Sequence, residues 1–205
     1  MSLIEENEEV RQLVDLWRRY GTYLISGVVI GLVLLGSWRA YQSHQLNLAE
    51  QASAAYQSFQ EMRAKGDKAG MQQAGENLKQ AHPGSPYATL AALQLGHQSV
   101  VDGAAEAAKT QLNWAEANAP LPQLAAIARL RLAQLELSNN QTEAALALLD
   151  SVPEESFTTL YQHTKGDVLM AAGRLDEARQ AYEDAEAAGA GDALLKLKRE
   201  SLEAN

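Results

Sequence analysis

The sequence predicts an all-α protein: a single amino-terminal transmembrane helix, then a stack of repeated helical hairpins closed by a C-terminal capping helix. Three observations carry that expectation. Nineteen consecutive uncharged residues run from Tyr20 to Trp38. Alanine supplies 36 of the 205 residues and phenylalanine only two, so the core is built from Ala and Leu, which suits close-packed helices and not stacked sheets. Four later segments share one frame of small, large and turn residues. All five prolines fall between Pro83 and Pro153, which leaves the remainder free of that helix breaker.

The apolar run comes first. As a helix rising about 1.5 Å per residue, 20–38 spans roughly 28 Å, close to the hydrocarbon thickness of a bilayer. Trp17, Tyr20 and Tyr23 stand at one end and Trp38 and Tyr41 at the other, the expected interfacial rings. A cleaved signal peptide would have a shorter apolar region with a small-x-small site close behind it. Here Trp38-Arg39 follows at once, and Ala52 to Ala54 lies fourteen residues past the run, so the helix is expected to be retained in the bilayer. Arg11, Arg18 and Arg19 precede it and only Arg39 follows shortly after, which predicts a cytoplasmic tail at 1–19 and the rest of the chain on the far side. Gly27 and Gly31 form a small-xxx-small pair, a candidate contact with another membrane helix.

Beyond the run, residues 39–205 carry 14 Lys and Arg against 21 Asp and Glu, a net charge of −7. The clearest unit reads Lys165-Gly166, Leu169, Gly173, Ala178, Tyr182, Ala185. That is small-x₂-large, a turn glycine seven after the first small residue, then Ala-x₃-aromatic-x₂-Ala, which is the tetratricopeptide spacing. Small residues let two antiparallel helices cross closely, and large ones fill the space beside them. Thirty-three residues earlier the frame gives Leu132-Ala133, Asn140, Ala145, Leu149 and Val152. Thirty-seven before that it gives Leu95-Gly96, Gly103, Ala108, Leu112 and Ala115, with Pro120 after. A worn copy a further thirty-seven back has Phe59, Met62, Gly66, Met71, Leu78 and Pro83. Hairpins are therefore expected at roughly 45–83, 87–120, 124–153 and 158–188, with Gln45 to Met62 continuing from the membrane as a stalk. Residues 192–203, bearing Leu194, Leu195, Leu197 and Leu202, are expected to be the solvating cap that a repeat stack requires.

The chemistry of the chain is mostly exclusion. A net charge of −9 argues against nucleic acid, whose phosphates need a basic face. Without cysteine there are no disulfides, thiolate nucleophiles or zinc-thiolate sites. Of His44, His82, His97 and His163, none has a ligand set at metal spacing. His163 and Asp167 sit four apart on one helical face, which reads as a surface hydrogen bond. No phosphate-cradling glycine loop and no hydrolase or metalloprotease motif occurs, so neither an enzyme nor a cofactor is expected. What remains is the groove lined by the first helices of successive hairpins. The frame places Tyr56, Gln60, Leu93, His97, Leu130, Gln134, His163, Asp167 and Met170 near it, a mixed lining suited to an extended peptide. Burial against a neighbouring helix is the alternative for each.

An acidic tail and one membrane helix are followed by Trp38-Arg39-x-Tyr41-x-Ser43-His44-Gln45 and Ala52-Ser53-Ala54-Ala55-Tyr56-Gln57. Leu130-Arg131-Leu132-Ala133 and Glu143-Ala144-Ala145-Leu146-x-Leu148-Leu149-Asp150 come later. This order resembles the YfgM family of bacterial inner-membrane proteins, ancillary subunits of the SecYEG translocon. The resemblance implies a periplasmic tetratricopeptide-like domain, association with SecYEG and with the prolyl isomerase PpiD, and a chaperone network receiving secreted chains. It also implies that the tail tunes the envelope stress response, and it brings no catalytic motif. The combined expectation is a non-enzymatic adaptor that binds partner chaperones or unfolded secretory chains. The alternative is a homo-oligomeric scaffold or stress regulator without client binding, assembled through Gly27, Gly31 and the open edge of the stack.

Overall fold

The computed structural model describes residues 2–150, 157–189 and 193–203, and every regular element among them is helical. The helices are α1 (Ser2–Ala64), α2 (Lys68–Ala81), α3 (Pro86–Val101), α4 (Ala105–Asn118), α5 (Pro122–Ser138), α6 (Thr142–Leu149), α7 (Thr158–Ala171), α8 (Leu175–Ala187) and α9 (Ala193–Glu203). The chain divides into two compact units, residues 1–49 and 50–205.

In the first unit, α1 carries a stretch long and apolar enough to cross a membrane, with a mean hydropathy of 1.7. Ile25, Val29, Ile30 and Leu32 to Leu35 all stand exposed on it, apolar on every side. Such a helix cannot be satisfied by water and suits a hydrocarbon surround. No atom lies within 4 Å of where a Cβ would stand on Gly27 or Gly31, so both present open backbone.

The second unit is a series of antiparallel hairpins, and one turn recurs in it. Gly66, Gly103, Asn140 and Gly173 have φ of +71°, +72°, +60° and +74°. After each of them the next amide reaches five residues back: Asp67 to the Met62 carbonyl, Ala104 to Ser99, Gln141 to Glu136, Arg174 to Leu169, at 2.8–3.0 Å. This is the Schellman closure, which satisfies the last carbonyls of the first helix and needs a left-handed residue at the corner. Glycine takes that conformation freely, and asparagine is among the few side chains that tolerate it. Two helices, α2 and α3, begin on a side-chain cap, while α4, α6 and α8 have none. Asp67 accepts from the Gly70 amide at 2.9 Å, and Ser85 from the Ala88 amide at 3.1 Å with Pro86 in the first turn.

Three apolar cores run along the stack. Phe59, Leu78 and Leu95 anchor the first, Leu93, Leu112 and Leu132 the second, and Tyr161, Val168 and Tyr182 the third. Trp114 packs against the first two and Leu148 against the last two, so the cores are joined. α9 buries Leu195 and Leu202 in the third core and leaves Leu197 exposed. Val152 of the repeat frame and residue 192 of the expected cap lie outside the described residues, as does the side chain of Leu194.

Three of the hairpins cross where a small residue on the first helix meets a large one on the second. Gly96 faces Leu112, and a Cβ there would stand 3.0 Å from the Leu112 side chain. Gly166 faces Tyr182, and a Cβ there would overlap the ring, with Cζ 2.9 Å away. Ala133 and Leu149 occupy the same two positions in the third hairpin and are both buried in one core. The first hairpin exchanges the roles: Phe59 holds the small position and Gly75 the large one. A Cβ on Gly75 would come within 3.2 Å of Phe59 Cε2 and 2.6 Å of Leu95 Cδ1. The frame's mismatch at Phe59 is thus a compensated exchange and not a worn copy.

Candidate functional site

The first helices of successive hairpins are the second-unit part of α1, then α3, α5 and α7. One polar side chain ties each to the helix before it. Gln94 donates to the Tyr56 hydroxyl at 2.9 Å, Arg131 to the Leu93 carbonyl at 3.1 Å, and Tyr161 to the Ala126 carbonyl at 2.9 Å. Burial pushes the Tyr161 hydroxyl up to about 12, so it stays a donor across the physiological range.

The nine groove residues fall into three groups along this row. At one end Tyr56 and Gln60 are half-buried and held in place. The Tyr56 hydroxyl accepts from Gln60 at 2.5 Å as well as from Gln94, and its ring stacks on Phe59 at 5.8 Å and tilts against Tyr87 at 5.5 Å. In the middle, Leu93 and Leu130 are only 3% and 6% exposed and belong to the core, not to the groove wall. The reason is the neighbouring first helix: α5 lays Arg131 over the Leu93 carbonyl, and Leu130 shares a core with Tyr161 of α7. One turn further along, His97 and Gln134 are exposed and line a cavity of about 260 Å³ with Gly96, Leu112, Arg131 and Leu135.

At the far end Lys198 of α9 reaches His163 and Asp167, while Met170 stays exposed. Lys198 lies 3.1 Å from His163 Nε2 and donates to Asp167 Oδ1 at 2.6 Å. An ammonium only donates, which makes the imidazole Nε2 the acceptor in that contact. Tyr182 also donates to Asp167 Oδ1, at 2.7 Å, and its hydroxyl sits 3.9 Å from Met170 Sδ. Burial, and then the Asp167 carboxylate, raise the Tyr182 hydroxyl well above its ordinary range. His163 and Asp167 are 3.9 Å apart and each is engaged with Lys198, so the chain's own C-terminal helix occupies that part of the row. Sequence reasoning missed Lys198 and Arg131. The only signal for Arg131 was a second basic residue, after Arg129, in an Ala- and Leu-rich helix.

Among the described residues no group of three or more His, Asp or Glu converges on a metal position. A family described as tetratricopeptide repeat-like domain matches residues 15–204, which takes in both the apolar run and the hairpins. An ancillary SecYEG translocon subunit of Escherichia coli (strain K12) is 32% identical over 178 residues, covering 87% of this chain and 85% of the relative. One from Haemophilus influenzae is 31% identical, covering 91% of both, and one from Neisseria gonorrhoeae 26%, covering 97% and 98%. The chain belongs to the ancillary SecYEG translocon subunit family.

In this member of the family a second polar cluster joins the first two hairpins from the side of their second helices. Lys79, only 9% exposed, donates to Glu76 at 2.9 Å and to Gln111 at 2.8 Å and stands 5.3 Å over the Trp114 ring. Gln111 donates to Glu76 as well, at 2.8 Å. Burial raises the Glu76 carboxyl, but the hydrogen bonds from Lys79 and Gln111 outweigh it and leave the group below its ordinary 4.5. A lowered folded value means stability that is complete above the unfolded value and lost as pH falls through the folded one. Glu76→Gln is therefore expected to cost about 1–2 kcal/mol at neutral pH, discounted for a partly solvated pair. That difference should shrink as pH drops below 4.5, measured as urea midpoints of the two proteins across the acid range.

Proposed function

We propose that the chain is a non-enzymatic accessory subunit of the Sec translocon in the bacterial inner membrane. In this reading residues 20–38 span the bilayer, 1–19 face the cytoplasm and 39–205 stand in the periplasm. The hairpin stack binds PpiD-type chaperones or emerging secretory chains. The observation that carries it is the near full-length likeness to relatives named for this role, over a match that includes the apolar run. The physical logic is effective concentration: a binding surface anchored beside the exit of a channel meets emerging chains at high local concentration, so weak contacts suffice.

The test is co-isolation from native membranes in mild detergent, comparing the intact chain with one carrying an unrelated transmembrane helix. Translocon subunits recovered only with the native helix place the contact in the membrane. Equal recovery moves recognition to the tail or the hairpins. Recovery of nothing but further copies of the chain overturns the reading in favour of a self-assembling scaffold.

A further inference from the structure

We infer that the cavity between α3 and α5 docks an acidic side chain of an extended peptide, while an aliphatic side chain two residues away in that peptide seats on the cavity floor. This deepens the client- and chaperone-binding reading above and rests on it. The floor is apolar and buried: Gly96, Leu112 and Leu135. The rim is exposed and polar: Arg131, His97 and Gln134.

Arg131 is the feature that selects the ligand. Among the described residues from 86 to 187, each other cation is ion-paired: Lys109 with Glu136, Arg129 with Glu116, Lys165 with Asp150, Arg174 with Glu177, Arg179 with Asp176. Arg131 makes no such pair. Its one hydrogen bond goes to the Leu93 carbonyl, which pins the guanidinium at the seam between the two first helices. A guanidinium has five N–H donors in a fixed fork, so most remain to be used. Its side chain stands on the exposed rim, and the burial it does have lowers its pKa. A rim cation with no counter-charge among the described residues, in a region of net charge −7, suits a carboxylate from outside. In an extended chain, residues i and i+2 point the same way about 6.6 Å apart, which lets an acid meet the rim while its neighbour meets Leu112 and Leu135. The volume of about 260 Å³ is on the scale of one or two side chains.

The test uses the full-length chain in detergent and a labelled Gly/Ser peptide, acetylated and amidated, with a single Glu-x-Leu, read by fluorescence anisotropy. Changing the peptide's Glu to Gln is expected to weaken binding about tenfold, the scale of one charge-assisted hydrogen bond. This peptide-side comparison requires no protein variant. Arg131→Gln is expected to bind both peptides equally weakly, and its unfolding midpoint reads separately the loss of the hydrogen bond to the Leu93 carbonyl. Equal binding of the two peptides to the native chain overturns the proposal, and so does a preference for Glu that survives Arg131→Gln. A preference for a peptide with a free C-terminal carboxylate and no Glu overturns it in favour of chain-end recognition. Absence of all peptide binding overturns it too, and intact co-isolation of translocon subunits would then leave the accessory-subunit reading standing.

Discussion

Phe59→Ala is expected to cost about 3–5 kcal/mol, the scale for emptying the site of a fully enclosed aromatic ring. Phe59 has no exposed surface and packs in one core with Leu78 and Leu95. The informative protein is the double replacement. Gly75→Leu alone should also destabilise, because its Cβ would sit 2.6 Å from Leu95 Cδ1 and 3.2 Å from Phe59 Cε2. Phe59→Ala with Gly75→Leu restores the small-on-first, large-on-second order of the other three hairpins. The two losses should therefore fail to add, and the double variant should recover about half of the Phe59→Ala loss. Urea unfolding followed by far-ultraviolet circular dichroism reads all three proteins. Simple additivity would show that Phe59 and Gly75 do not form one packing pair.

Gly166→Ala should lower stability by about 1–2 kcal/mol even though alanine is the better helix former by about 1 kcal/mol. Steric overlap decides the sign. Tyr182 is completely buried, and its hydroxyl is fixed on Asp167 at 2.7 Å, so the ring has little room to retreat from a new methyl group. Adding Tyr182→Leu to Gly166→Ala gives the Ala-and-Leu combination of Ala133 and Leu149 and should offset part of the loss. Hairpins in a stack can open locally, so amide hydrogen exchange within α7, α8 and α9 is the sharper measurement. A rise in protection there on Gly166→Ala would contradict the close approach at this crossing.

The corners of the hairpins were legible because their requirement is local. A left-handed residue admits glycine or asparagine and little else, so Gly66, Gly103, Asn140 and Gly173 announce themselves one position at a time. The membrane run was legible for the same reason: nineteen uncharged residues need no partner to be recognised. Pairwise facts were not. The frame tests Phe59 and Gly75 separately and cannot see that each excuses the other. Leu93 and His97 lie one turn apart on α3, and periodicity alone does not say which of them the next hairpin covers. The closure of His163 and Asp167 depends on Lys198, more than thirty residues away along the chain. Arg131 carried no local motif, and its lack of an acidic partner among the described residues exists only once the helices are packed.

The Phe59–Gly75 exchange also constrains how this stack can diverge. Between its arrangement and that of the other hairpins lies either a void, if the ring shrinks first, or a collision, if the glycine grows first. A lineage crossing from one order to the other must pass through a weakened ancestor or change both sites nearly at once. The first hairpin is thus a kinetic trap in sequence space, free to drift around the pair but slow to leave it.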